Sequence, residues 1–277
     1  MLIAIVNSKG GVGKTTIAVH TALWLREQGL RVAMIDADEQ ASASEWLLKA
    51  TSEIPSLRYT SSRDILTRGP QLAAHFDAVV ADGPAALCAR MAALASIADL
   101  AVLPLQPSAL DIRASFRTAR VIYKLRFQSR RPGLPHALTV LNRVRERTRL
   151  ARVAAVAVRQ YGFPVAPVVL AARTAYAEAC EQDTAVWRLG ARAALASAEI
   201  SRLCECMLRQ MPECEMAQRI LASRPKVGSK QRIVAQSSTD ARRVLASEGG
   251  TRQLVQTSTS TSVNTPNAGS VVPQPTS

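Results

Sequence analysis

The 277-residue sequence predicts a doubly wound α/β domain built on a mostly parallel sheet, followed by a disordered C-terminal tail. Short apolar runs alternate with stretches of helical spacing, the pattern of βα units whose strands are buried on both faces. Two of those runs end in aspartate, at Asp36 and Asp82, where open α/β sheets gather their ligands. The first run is joined to the first helix by a glycine-rich loop that matches GxxxxGK[ST] in full.

That loop is Ser8-Lys9-Gly10-Gly11-Val12-Gly13-Lys14-Thr15-Thr16. It lies between apolar residues 2–6, read as a buried strand, and residues 17–28, which have helical spacing and stop at Gly29. Strand, glycine loop and helix are the context a phosphate loop requires. Glycines let the backbone of Gly10, Gly11, Val12 and Gly13 approach a polyphosphate and turn its N–H groups inward, and the helix N-terminus at Thr15 and Thr16 adds positive potential. Lys14 would sit on the β- and γ-phosphates, and Thr15 would offer its hydroxyl to Mg²⁺.

Composition narrows the rest. The chain is 48% hydrophobic but only 4% aromatic, so Ala, Val, Leu and Ile must pack most of one sizeable core. No apolar run approaches the roughly 18 residues that cross a bilayer, and a cytoplasmic protein with no membrane partner is expected. The five cysteines are odd in number and lack a CxxC pair, the signature of reduced thiols rather than of a disulfide framework or a metal site. A net charge of +14 and a pI near 10.4 call for a polyanionic partner, nucleic acid first.

Along the chain, residues 31–35 read as a second strand running into Asp36-Ala37-Asp38-Glu39-Gln40, and 56–60 as a third. Residues 61–76 read as a helix interrupted at Gly69-Pro70. Residues 77–81 form a short apolar strand that ends in Asp82-Gly83-Pro84. A further strand spans 99–104, and 106–111 turn into a long helix. Residues 136–141 are a strand ending at Asn142-Arg143, and 165–170 an edge strand marked by Pro164 and Pro167. The last helix, 193–209, stops near Met211-Pro212. From 223 onward the chain has no Phe, Tyr or Trp and is dominated by Ser, Thr, Gln, Val, Pro and Gly, too little apolar surface to order itself. The expected organisation is a nucleotide-binding domain over 1–211, a helix extension or linker over 212–222, and a tail over 223–277.

The second lysine of the loop adds specificity. Lys9-Gly10-Gly11-Val12-Gly13-Lys14-Thr15-Thr16 resembles the deviant Walker A box of the ParA/MinD family of ATPases. Residues 36–44 resemble the DxDPQGSAS segment of ParA proteins, with Glu39 where the family usually carries proline, a change expected to leave this loop less constrained. Asp82-Gly83-Pro84-Ala85 and the 106–111 turn look like their counterparts in small plasmid-partition ATPases, and the likeness covers residues 1–211. It implies a P-loop NTPase fold, ATP and Mg²⁺ as cofactors, and an ATP-dependent homodimer in which two subunits face each other across two nucleotides. By that resemblance Lys9 would reach the partner's phosphates in the manner of an arginine finger. Asp36 would lie near Mg²⁺ and its waters, Asp38 would position or activate the attacking water, and Asp82 would hold a Mg²⁺-bound water. Asn142 would be a candidate for contact with adenine, a plain turn-forming Asn being the alternative.

Positive charge is concentrated beyond the phosphate site. Thirteen Lys and Arg but one acidic residue, Glu146, lie between Arg113 and Arg159. Arg113, Arg117, Arg120 and Lys124 gather within about 60° of one helix face at 100° per residue, with Ile112, Phe116, Ala119 and Tyr123 on another, which makes the helix amphipathic. Arg145, Arg149 and Arg152 add a second patch. No base-reading motif accompanies them, so DNA would be held through phosphates and without sequence preference.

The expected function is a slow ATP hydrolase of the DNA-partition type. Its ATP-bound dimer would hold nucleoid DNA, and hydrolysis, stimulated by a centromere-binding (ParB-type) or other cargo adaptor, would release it. The alternative is a ParA-like adaptor, switched by ATP, in conjugative DNA transfer or assembly positioning. A MinD-type membrane ATPase fits less well, since the chain ends in Thr265-Pro266 and Pro273-Gln274-Pro275 rather than in an amphipathic helix.

Overall fold

A computed structural model describes residues 1–129, 131–145, 154 and 156–223. The apolar runs become six parallel strands: β1 (Leu2–Ile5), β2 (Val32–Asp36), β3 (Ser56–Arg58), β4 (Ala78–Asp82), β5 (Leu100–Leu105) and β6 (His136–Leu141). They form one sheet in the order β3-β2-β4-β1-β5-β6. Successive strand residues point to opposite faces, so Ile3, Ile5, Val32 and Met34 enter one core while Leu2, Ala4, Ala33 and Ile35 enter the other. The first core is covered by α1 (Lys14–Glu27), α2 (Ser42–Ala50), α6 (Thr174–Glu181), α7 (Ala194–Arg209) and α8 (Glu215–Ser223). Covering the second are α3 (Ser62–His75), α4 (Ala89–Ile97) and α5 (Ala109–Gln128). This is the doubly wound α/β class that the sequence predicts, and its register matters for the site. Ile5 and Asp36 both pair with Asp82, which brings the phosphate loop and both strand-terminal carboxylates to the same end of the sheet.

Three local expectations need correction. Residues 165–170 do not form a seventh strand; they make only isolated parallel bridges, Thr139 with Val165 and Val144 with Ala171. Pro167 lacks the N–H that a continuous ladder needs, so hydrogen bonds to β6 occur on either side of it, from Ala166 N to Thr139 O and from Leu170 N to Leu141 O. The helix α3 runs unbroken through Pro70. Pro70 is exposed, so water can serve the carbonyl that loses its donor, and buried Gly69 lets α3 approach α4 where a Cβ would come within 2.4 Å of Ile97 Cδ1. On α5 the buried residues are Ser115, Thr118, Ala119 and Ile122, whereas Phe116 and Tyr123 are exposed.

One buried polar group ties α1 to the far end of the chain. His20 is fully buried; its Nδ1 lies 2.7 Å from Thr16 O, and its Nε2 accepts the Val186 N–H at 3.2 Å. That pairing requires the neutral tautomer with the proton on Nδ1. Trp46, Trp187 and Tyr176 surround the ring edge-on, with centroids 5.4, 5.7 and 6.1 Å away. Burial pushes the imidazole down from 6.5 to about 4. The unfolded chain therefore binds this proton first as pH falls, and stability is lost between pH 6.5 and pH 4. The difference in unfolding free energy between the wild type and His20→Gln is expected to shrink by about 3 kcal/mol from pH 7 to pH 4, read by urea titration at each pH. A difference independent of pH would show that His20 does not carry this dependence.

Candidate nucleotide-binding site

The phosphate loop is shaped by its glycines and tied from outside. Gly11 and Gly13 adopt φ of 73° and 90°, which residues with a Cβ rarely do. A Cβ on Gly13 would also come within 2.1 Å of Asn142 Nδ2. Two side-chain amides hold loop carbonyls away from the concave face: Gln106 Nε2 donates to Gly11 O at 2.8 Å, and Asn142 Nδ2 donates to Val12 O at 2.7 Å. The entry to the loop is fixed by Asn7, whose Oδ1 accepts the Lys9 N–H at 3.0 Å, and by Thr118, whose hydroxyl oxygen accepts the Ser8 N–H at 3.0 Å. Gly10 and Thr16 lie at the two ends of this turn, the latter in the first turn of α1.

Around the loop the predicted acidic residues come together. Thr15 Oγ1 donates to Asp82 Oδ2 at 2.6 Å. Lys14 is buried, and its Nζ donates to Lys9 O at 3.3 Å; burial lowers its pKa, while the charges of Asp82 and Asp38 oppose that shift. Asp36 is also buried and accepts the N–H of Asp38 at 3.1 Å and of Ser44 at 2.8 Å. Asp38 accepts from Gln40 N at 3.0 Å and from Ala85 N at 3.2 Å, joining the ends of β2 and β4.

Asp82 has the most unusual environment. It is fully buried, and desolvation pushes its carboxyl up to about 7, with the Asp36 charge adding to the rise and the Thr15 hydrogen bond opposing it. Its Oδ1 has no hydrogen-bond partner, a costly arrangement for a buried carboxylate. Such an orphaned oxygen beside a threonine hydroxyl fits a divalent cation. A hydroxyl and two carboxylates, from Thr15, Asp36 and Asp82, are hard oxygen donors of the kind that suit Mg²⁺, an ion that usually keeps phosphate and water ligands as well.

Glu39, which stands in place of a proline, does not leave its loop loose. Arg90 Nη2 pairs with Glu39 Oε1 at 2.6 Å and its Nη1 donates to Ala37 O at 3.3 Å, while Arg58 Nη2 donates to Glu39 O at 3.2 Å. Two arginines thus supply the constraint. Arg58, Arg90 and Gln106 were not visible as site residues in the sequence, because each acts on a segment distant in the chain, and Asn7 was missed although it acts on Lys9 two residues on.

Lys9 lies at the rim, with its side chain 47% exposed and its Nζ 3.8 Å from Asp111 Oδ1. Asp111 is in the first turn of α5, where its N–H is capped by Ser108 Oγ at 3.1 Å. The same helix carries Arg113, Arg117, Arg120 and Lys124, all exposed, on the side opposite Ser115, Thr118, Ala119 and Ile122. Asn7 Nδ2 donates to Ser115 Oγ at 2.7 Å, so the buried side of the cationic helix is hydrogen-bonded to the phosphate-loop entry. Arg145 is exposed near the end of β6, and Arg149 and Arg152 lie outside the described residues.

The model for the CobQ/CobB/MinD/ParA nucleotide binding domain matches residues 3–186. The maintenance of carboxysome distribution protein A of Halothiobacillus neapolitanus is 32% identical over 206 residues, 73% of this chain and 93% of the relative. Its namesake in Gloeobacter kilaueensis is 32% identical over 208 residues, 74% of this chain and 92% of the relative. Among solved structures, apo McdA from Cyanothece superposes with a TM-score of 0.62 at 17% identity, covering 74% of this chain and 98% of that one. Pyrococcus horikoshii MinD with Mg-ADP gives 0.56 at 19%, covering 74% and 94%. The expected kinship with small plasmid-partition proteins is thus too narrow, since relatives aligned over nearly their whole length are named for carboxysome distribution. The chain belongs to the CobQ/CobB/MinD/ParA family of nucleotide-binding ATPases.

Proposed function

We propose that this protein is an ATP-switched positioning ATPase: an ATP-bound homodimer that holds DNA without sequence preference, carries a protein assembly as cargo, and lets go of DNA after hydrolysis. The observation that carries this reading is the attachment of an exposed cationic helix face to the phosphate-loop entry through Asn7–Ser115 and Ser8–Thr118. The cargo class is favoured by the two full-length relatives named for carboxysome distribution. Partition of a DNA cargo would use the same switch and differ in the adaptor that stimulates hydrolysis. Among the described residues no helix is long and apolar enough to cross a membrane, and cytoplasmic action on the nucleoid follows from the DNA reading.

In this reading Lys14 and the N–H groups of residues 10–16 hold the phosphates, and Thr15, Asp36 and Asp82 hold Mg²⁺, which neutralises phosphate charge when bound. Asp38, held by two backbone N–H groups at the joined ends of β2 and β4, positions or activates the attacking water. Lys9, half exposed at the rim, exchanges Asp111 for the phosphates of a second subunit. Asn142 serves as a wall of the loop, and any contact with adenine is made from that position.

The two roles separate experimentally. Asp38→Ala is expected to bind ATP and accumulate as a dimer with turnover lowered by about 10²-fold or more, whereas Lys9→Ala binds ATP but stays monomeric. Light scattering with ATP and Mg²⁺ decides this, and equal behaviour of the two variants contradicts the assignment. For DNA, Arg117→Glu with Arg120→Glu should flatten the slope of log K against log salt by about 2 per protomer, equally on unrelated duplexes, with ATP affinity unchanged. An unaltered slope would remove α5 from the DNA contact.

A further inference from the structure

Cations alone do not account for the exposed side of α5. Phe116, Tyr123 and Phe127 are 45%, 53% and 75% exposed, and at 100° per residue they form a stripe roughly 40° wide beside the arginines. The rings are ordered against neighbours: Tyr123 and Phe127 have centroids 4.9 Å apart, and Phe116 lies 5.8 Å from Tyr161. Between this stripe and Leu87, itself 47% exposed, runs a groove of about 740 Å³ with Ala119 and Tyr161 in its wall. Arg117, Arg120 and Lys124 line it as well. Apolar patches of this kind on a protein surface mark interaction sites, and duplex DNA offers phosphates to the cations but almost nothing to fill an aromatic groove.

We propose that this groove on α5 docks an amphipathic segment of another protein, one that carries apolar anchors flanked by carboxylates. Aromatic residues seated among arginines are the composition of binding hot spots, and a helix laid in a groove presents anchors at i, i+3 or i+4 and i+7. Charge selects the occupant. Three cations along the groove favour an acidic segment and disfavour this chain's own residues 223–277, which hold seven basic and two acidic residues. Because Arg117, Arg120 and Lys124 would serve both ligands, the docked segment and DNA exclude one another. Docking is also felt at the nucleotide site, since the helix that forms the groove carries Asp111, the partner of Lys9, in its first turn. The peptide site stands on the aromatic stripe, and only its competition with DNA rests on the proposed function.

A display library of random 16-residue peptides, panned on the full chain with counter-selection on the double variant Phe116→Ala, Tyr123→Ala, tests this. Both residues are exposed, so the variant should fold, which circular dichroism checks. Enriched peptides are expected to be acidic with aromatic or aliphatic anchors at helical spacing, to bind the variant about tenfold more weakly or worse, and to be displaced by duplex DNA. Failure to enrich peptides that discriminate the variant, or enrichment of basic ones, overturns the proposal. So does a groove that instead binds the single-stranded oligonucleotide dT20 through the same aromatics, which would make it a stacking platform. A nucleotide-free dimer that the double variant dissociates would assign the groove to a second copy and equally overturn it.

Discussion

The arrangement depends on the shape in which the backbone of residues 8–13 is held, with Gly11 O and Val12 O tied to side chains outside the loop. A glycine loop is flexible by nature, and here its shape is imposed by side chains from the ends of three strands: Asn7 after β1, which leads into the loop, Gln106 after β5 and Asn142 after β6. Each takes or supplies one hydrogen bond to the loop backbone, and in the proposed function the intervening N–H groups would serve phosphate. The close approach of Asn142 to Gly13 leaves no room for a Cβ at that position. The parallel register of β1, β2 and β4 then delivers Thr15, Asp36 and Asp82 to the same place. A carboxylate with an orphaned oxygen at the centre of that cluster is an unfavourable group to bury, and it is the feature that most clearly asks for a cation.

From the loop, physical connection runs outward along α5. The helix buries small polar residues rather than large apolar ones next to the loop: Ser115 and Thr118 receive Asn7 and Ser8. Its first turn meets Lys9 through Asp111. A change in the position of Lys9 or of the loop entry is therefore transmitted to a rigid 20-residue element whose opposite side is cationic. In the proposed function this connection is the route by which nucleotide state would bear on DNA contact without any residue touching both ligands.

What was legible in the sequence was the chemistry carried by contiguous residues. The phosphate loop needs its glycines, lysine and threonine in a fixed order, and the strand-terminal Asp36 and Asp82 follow apolar runs that no helix would produce. What was illegible were partnerships between distant residues: Gln106 with Gly11 across 95 positions, Asn142 with Val12 across 130, and His20 with Val186 across 166. Helical spacing identified the cationic side of α5 but put Phe116 and Tyr123 on the apolar face of an amphipathic helix, because hydrophobicity alone did not reveal that Ser115 and Thr118 take the buried positions as hydrogen-bond partners. The prolines at 164 and 167 marked an edge correctly, yet also prevented the ladder that a strand would require.

The central claim is that nucleotide turnover and DNA binding belong to one switch. Steady-state ATP hydrolysis by the full chain, with Mg²⁺ and with or without duplex DNA of arbitrary sequence, tests it most directly. Slow Mg²⁺-dependent turnover is expected, rising when DNA is added and to a similar extent for unrelated duplexes. Turnover indifferent to DNA, or no turnover under any of these conditions, would contradict it.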